Sequence, residues 1–212
     1  NQKISISYDK NAIDRNAKIL SEPLDFIITK KDILNKKPFL FFKNKDKKIY
    51  EFLSENKKNI LLIVGASWAS KMYSNEKFAN ITNSLDENYL IVWGSEAEKQ
   101  IANNIANNSS NVTVLPKLDL NSLKALVSKV DLVIGNDTGP THMAWALNIP
   151  SITLFGNTPG YRNTYETNIN RIIESNSKVN PYKLDKSDFS IKEIDEKNIV
   201  KMAKEILYEE KN

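Results

Sequence analysis

Asp131-Leu132-Val133-Ile134-Gly135-Asn136-Asp137-Thr138-Gly139-Pro140-Thr141-His142-Met143-Ala144-Trp145 holds a strand, a tight turn and the start of a helix. Leu132-Val133-Ile134 is an unbroken apolar run, the pattern of a parallel strand buried on both faces. Gly135-Asn136-Asp137 interrupts it. Asp137 or Thr138 can serve as N-cap of a helix running from Thr141 to Leu147. Pro140 suits the first turn, where its missing N–H is not needed. A strand that feeds a small turn into a helix N-terminus makes an anion site, because unpaired N–H groups and the helix dipole converge there. The same residues also fit an ordinary βα turn with a good cap.

Working outward, the chain from residue 60 alternates regularly. Apolar runs at Ile60 to Val64, Tyr89 to Trp93, Val112 to Leu115, Leu132 to Ile134, Ser151 to Phe155 and Arg171 to Ile173 read as six strands. Helical patterns separate them at Asn75 to Leu85, Glu96 to Asn107 and Leu120 to Val130, and a last amphipathic helix spans about Asp195 to Tyr208. This alternation means βαβ units, a parallel sheet and right-handed crossovers, with the doubly wound order 3-2-1-4-5-6. In that order the first and fourth strands are neighbours. The loops after Val64 and after Ile134 then flank the crevice where such sheets bind ligands. The first 58 residues are less regular. A helix is expected over residues 11–20 and another over about 46–56. Ile4 to Tyr8, Phe26-Ile27-Ile28 and Phe39-Leu40-Phe41-Phe42 read as short strands, the last two at the edge of a connector.

Composition bounds the reading. With 26% charged and 41% hydrophobic residues, the chain has ordinary globular make-up. No apolar run approaches the ~20 residues of a membrane-spanning helix. The start carries neither a secretory leader nor an initiator Met, and reads as cut from something longer. The absence of cysteine excludes disulfides and thiolate metal sites and fits a reducing compartment. A single histidine makes a His-based metal cage a poor fit. Between Lys30 and Lys58 ten lysines face only Asp32, Asp46, Glu51 and Glu55. That surplus can be a solvated surface or a patch for anionic lipid. Arginine and interleaved aromatics are scarce there, so no nucleic-acid partner is expected.

The strand-end loops carry the candidate chemistry. Gly65-Ala66-Ser67-Trp68-Ala69-Ser70-Lys71 is neither a dinucleotide fingerprint nor a P-loop. Its small residues let backbone N–H groups approach phosphate, Ser67 adds a hydroxyl and Lys71 a mobile positive charge. An acid at the end of the second strand can hold a ribose, and Glu96 and Glu98 both qualify. Either can also simply complement the helix N-terminus. Trp93 is expected in the core. Leu115-Pro116-Lys117-Leu118 can line a base pocket. His142 lies within reach of a phosphate or sugar hydroxyl, but no carboxylate orienter is evident in the sequence, which argues against a general base. Asn157, Thr158 and Arg162, in the loop after the fifth strand, open on the same rim.

Gly135-Asn136-Asp137-Thr138-Gly139-Pro140-Thr141-His142-Met143-Ala144 resembles the D-[ST]-G-x-x-H-x-A signature of glycosyltransferase family 9, the heptosyltransferases. Gly65 to Lys71 resembles that family's first phosphate loop, Trp93-Gly94 with Glu98 its G-x-x-x-E segment, and Leu115-Pro116-Lys117 a further recurring stretch. Asn11 to Asn16 resembles the helix closing its first domain. The resemblance implies a GT-B fold in which residues 1–58 are the end of an N-terminal domain plus connector. Residues 59–212 would be the Rossmann-like, nucleotide-sugar-binding domain. It implies an inverting transfer of heptose from ADP-heptose to the lipid A–Kdo inner core of lipopolysaccharide, with ADP as product. It further implies phosphate contacts from Ala66, Ser67, Lys71, Thr138 and Gly139, ribose contact from Glu98, adenine contact near Leu118, and sugar or phosphate contact from Asp137 and His142. Lys71, Thr138 and Gly139 would stabilise the leaving group. The base is expected on a further domain of ~150 residues, so no catalytic base is assigned within this chain, and no cofactor or metal. A cytoplasmic location with peripheral contact at the inner membrane follows from the same resemblance. Two departures stand out: Ser74 where the family often has proline, and Ala66, without a hydroxyl, where some relatives have threonine. The alternatives are another sugar-nucleotide transferase or epimerase with a UDP donor, and a non-catalytic nucleotide-binding module.

Overall fold

The computed structural model describes residues 3–43 and 47–209. Its centre is a six-stranded parallel sheet in the order β3-β2-β1-β4-β5-β6. The strands are β1 (Asn59–Ile63), β2 (Asn88–Val92), β3 (Val112–Val114), β4 (Leu132–Asn136), β5 (Ser151–Phe155) and β6 (Asn170–Glu174). This is the expected doubly wound order.

Successive side chains of a strand point to opposite faces, and here both faces are covered. Ile60, Leu62, Leu132, Ile134, Ile152 and Leu154 pack on one side against Phe78 and Ile81 of α3 (Asn75–Ser84), Ala102 and Ile105 of α4 (Glu96–Asn107), and Ile199 and Ala203 of α8 (Glu196–Tyr208). Leu61, Ile63, Leu90, Val92 and Val133 pack on the other side against Leu126 and Val127 of α5 (Leu120–Val127) and Ala144 and Leu147 of α6 (Gly139–Leu147). Burial on two faces is why Ile60 to Ile63 of β1 and Leu132 to Ile134 of β4 read as continuous apolar runs.

The register places Ile63 beside Gly135. A Cβ on Gly135 would lie 2.6 Å from Ile63 Cβ and 2.7 Å from Thr141 Oγ1, so only glycine lets α6 pack this closely on the strand end. Thr141 Oγ1 in turn donates to Asn136 O at 2.7 Å.

The first 58 residues depart from expectation. Helix α1 (Ala12–Ser21) forms, capped by Asn11. A short α2 (Lys30–Leu34), closed by a Thr29–Asp32 capping box, was not anticipated. None of the three short strands expected at Ile4 to Tyr8, Phe26 to Ile28 and Phe39 to Phe42 forms. At the last, the backbone hydrogen bonds go elsewhere. Phe39 N donates to Ala146 O, Lys124 Nζ to Phe41 O, and Asn121 brackets the backbone of Lys43. Side chains of α5 and the end of α6 satisfy this backbone, so no edge of the sheet is needed. The expected helix over 46–56 is a 3-10 turn, Lys47–Phe52; Asp46 lies outside the described residues. Ile33, Trp145 and Ala146, with Ile13, Ala17 and Leu40 against them, bind this segment to α6.

Candidate functional site

Two loops meet at the carboxyl ends of β1 and β4, and a buried asparagine joins them. Asn136, fully buried, donates Nδ2 to Val64 O at 2.8 Å and accepts at Oδ1 from Tyr73 N at 3.0 Å. Its side-chain hydrogen bonds all run toward the loop after β1. Nothing in the sequence pattern singled it out beyond its place in the turn.

Next to it, Asp137 is the hub of the site. Its side chain is 5% exposed, and it meets Lys71 Nζ at 2.7 Å through Oδ2 and His142 Nε2 at 2.8 Å through Oδ1. Thr158 Oγ1 and Asn163 Nδ2 also donate to Oδ2, at 2.8 and 2.9 Å. Burial alone would raise the carboxyl's pKa. The hydrogen bond from His142 and the charge of Lys71 outweigh it and hold Asp137 well below the usual carboxylate range.

Two sequence expectations change here. Lys71 is a buried lysine, not a mobile one: the 3-10 turn Ala69–Lys71 aims it inward against Asp137. An ammonium has three donors, so the ion pair leaves others for a ligand oxygen. His142 does have a carboxylate orienter, Asp137, five residues earlier. The pairing is local: Asp137 precedes the helix and turns back over its first turn.

Thr138 is the N-cap of α6, in extended conformation, and makes no side-chain capping bond. The first-turn N–H groups of α6 are therefore not closed off by a side chain, as an anion site requires. Nothing lies within 4 Å of where a Cβ on Gly139 would be, so the helix start faces open space.

From this point a cavity of about 290 Å³ runs along the strand ends. Gly65, Trp93, Gly94, Glu98, Leu118 and Thr138 are among its lining residues. It brings together members of four separately expected segments. Trp93 is here half-buried on the cavity wall, not in the core. Its indole N–H donates to Leu115 O at 2.7 Å, and Lys99 Nζ lies 4.9 Å from the ring centroid. Glu98 faces the cavity, whereas Glu96 points to solvent and pairs with Lys99.

Glu98 also closes a capping box with Ser95 and accepts from Gly94 N at 2.6 Å through Oε2. A Cβ on Gly65 would sit 2.2 Å from Glu98 Oε1, so a larger residue there would push this carboxylate out of its present position. Ala66 and Ser67 sit on the bend that follows, Ser67 exposed. Ser74 caps α3, accepting from Lys77 N, which gives this departure from the family pattern a local job. Of the loop after β5, Thr158 reaches the hub. Asn157 instead bridges Ser70 Oγ and Asp185 O, and the Arg162 guanidinium stacks on Tyr8 and donates to Pro181 O.

A doubly wound parallel sheet with its pocket at the switch point, between a small-residue loop and an uncapped helix start, has the architecture of one Rossmann-like half of a GT-B glycosyltransferase. The sequence model of glycosyltransferase family 9 (heptosyltransferase) matches residues 1–188. The chain belongs to this family.

Among its relatives, the lipopolysaccharide heptosyltransferase 1 of Campylobacter coli is 38% identical over 226 aligned residues, covering 99% of this chain and 65% of the relative. The structure of E. coli heptosyltransferase WaaC with ADP matches at TM-score 0.71 and 18% identity, over 97% of this chain and 60% of that one. The family 9 glycosyl transferase of Veillonella parvula matches at TM-score 0.75 and 18% identity, over 98% and 63%. The chain thus spans somewhat less than two thirds of each of these proteins. At such identity the two solved structures speak for the fold.

Proposed function

We propose that this chain is the donor-binding part of an ADP-heptose:lipopolysaccharide heptosyltransferase, of the heptosyltransferase 1 type, with residues 59–212 as the nucleotide-sugar unit and residues 1–58 as connector. The observation that carries the reading is the continuity of the cavity. It joins a half-buried base-sized wall (Trp93, Leu118), an acid for a ribose (Glu98) and the start of α6 (Thr138, Pro140), with Lys71 paired to Asp137 just before that start. The adenine lies near Leu118, the ribose hydroxyls meet Glu98, and the diphosphate meets the backbone of Ala66, Ser67, Thr138 and Gly139 together with Lys71. Asp137 and His142 face the sugar or its phosphate.

In an inverting transfer, negative charge develops on the departing β-phosphate as the glycosidic bond breaks. Helix N–H groups and a preorganised lysine placed there favour the transition state over the ground state. We assign no cofactor to this chain, and no catalytic base. The acceptor, the lipid A–Kdo inner core, and the base that deprotonates it belong in this reading to the part of the protein beyond this chain. A cytoplasmic site on the inner membrane follows from that acceptor.

Calorimetric titration of the folded chain with ADP, ADP-heptose and UDP tests the proposal. Binding of the two adenine ligands with UDP much weaker is the expected result. A folded sample that binds neither adenine ligand removes the reading, and equal competition by UDP moves it to a UDP-sugar enzyme. For the membrane, the lysine-rich connector predicts binding to anionic vesicles that collapses at high salt. Binding unchanged by salt would refute the electrostatic account.

A further inference from the structure

The loop after β5 reaches the hub without lining the nucleotide cavity. Thr158, 3% exposed, and Asn163 at the end of α7 (Gly160–Asn163) both donate to Asp137 Oδ2, where Lys71 is the third donor. Oδ1 is left to His142 Nε2. A carboxylate torsion is soft. With Lys71 alone on Oδ2, the group could rotate and exchange its oxygens between Lys71 and His142. Three donors converging from two loops remove that freedom.

An ionised carboxylate only accepts hydrogen bonds, so His142 Nε2 carries the hydrogen. The neutral ring is then the Nε2–H tautomer with a lone pair on Nδ1. Nδ1 has no protein partner among the described residues, and the side chain is 31% exposed. It borders a cavity of about 290 Å³ whose wall is otherwise mostly apolar, with Ile13, Phe39, Leu40 and Met143. The charged groups joined to the ring through this network are Asp137 and, beyond it, Lys71.

We propose that Thr158 and Asn163 are positioning residues that lock the Asp137 carboxylate, and through it hold His142 with Nδ1 free to accept a hydrogen bond from a hydroxyl of the donor sugar. The sugar part rests on the donor-binding reading above; the positioning part does not. An acceptor nitrogen suits a hydroxyl and disfavours a phosphate oxygen, so His142 is assigned to sugar recognition, separate from the diphosphate contacts.

His142 is the sole histidine of the chain, so one imidazole spin system reports on it. Nitrogen-15 spectra at a pH where the ring is neutral should show the Nε2–H tautomer in the native chain. Thr158→Val should keep that tautomer but shift the Nε2–H signal as its acceptor loosens, and lower the affinity for ADP-heptose roughly 5- to 10-fold relative to ADP, the loss expected for one hydrogen bond. Thr158→Ser should restore both. Asn163→Ala, at a partly exposed position, repeats the test should the valine variant not fold. An unchanged Nε2–H signal in the folded variants overturns the positioning role. A shifted signal with an unchanged ADP-heptose to ADP ratio, or an Nδ1–H tautomer in the native chain, overturns the sugar contact. A native chain that binds no ADP at all defeats the donor reading, and the sugar contact with it, before any variant is made.

Discussion

Lys71 Nζ lies 2.7 Å from Asp137 Oδ2, and the two side chains are 10% and 5% exposed. A pair so withdrawn from water is held by geometry on both sides, and removing one partner strands a buried charge. Losing one member of such a pair costs about 3–5 kcal/mol. Asp137→Asn is therefore expected to lower stability by several kcal/mol in denaturant unfolding. A loss of less than about 1 kcal/mol would mean that water reaches Lys71 freely.

The same pair sets a pH dependence. The folded-state pKa of Asp137 is depressed, so its contribution to stability is fully present above the ordinary carboxylate pKa of about 3.9 and is lost as pH falls below it. The stability gap between the native chain and Asp137→Asn should narrow as the pH falls below that value. A gap that widens in that acid range would contradict the sign.

Lys71→Met tests the phosphate role. ADP affinity should fall about tenfold or more, as for a charge-assisted hydrogen bond, while adenosine affinity holds. Because the substitution also destabilises the hub, the ratio of the two affinities is the measurement. Equal losses would place Lys71 in a purely structural role.

Two glycines, four residues apart, should respond in opposite ways. Gly135→Ala drives a Cβ to within 2.9 Å of Ile63 O and 2.6 Å of Ile63 Cβ, and overpacking of this kind costs about 1–3 kcal/mol. Gly139→Ala meets open space, so its melting temperature should be near native. Its ADP affinity should drop, because the methyl occupies the proposed diphosphate position. Thermal melts and calorimetry on both proteins separate packing from ligand clearance.

Glu98 combines a capping carboxylate with a cavity-facing one. Glu98→Gln keeps a side chain that can close the capping box, so stability should change by less than about 1 kcal/mol. The substitution should weaken ADP more than its 2′,3′-dideoxy analogue. Equal weakening of the two nucleotides would leave only the cap.

The legible part of the fold was the part written in period and run length. Six apolar runs spaced by helical patterns imply a parallel doubly wound sheet, and that sheet forces the loops after Val64 and Ile134 together. The family motif at Gly135 to Ala144 was equally readable, because its residues are contiguous. The connector was less so. Phe39 to Phe42 has strand composition, but side chains of α5 and the end of α6 take its hydrogen bonds, and composition does not record who the partner is. Trp93 failed for a related reason: burial of an amphipathic ring depends on whether its N–H finds an acceptor, here Leu115 O at the cavity edge.

The turn around Asp137 shows where the division falls. Sequence alone determined that a strand delivers Asp137, Thr138 and Gly139 to a helix start, since propensity, capping and the proline rule act over a few residues. Only the tertiary structure decided that Lys71, Thr158 and Asn163 join His142 on one buried carboxylate. They do so because β1, β4 and β5 are adjacent in the sheet, and because a buried charge is stable only where donors from several elements meet it.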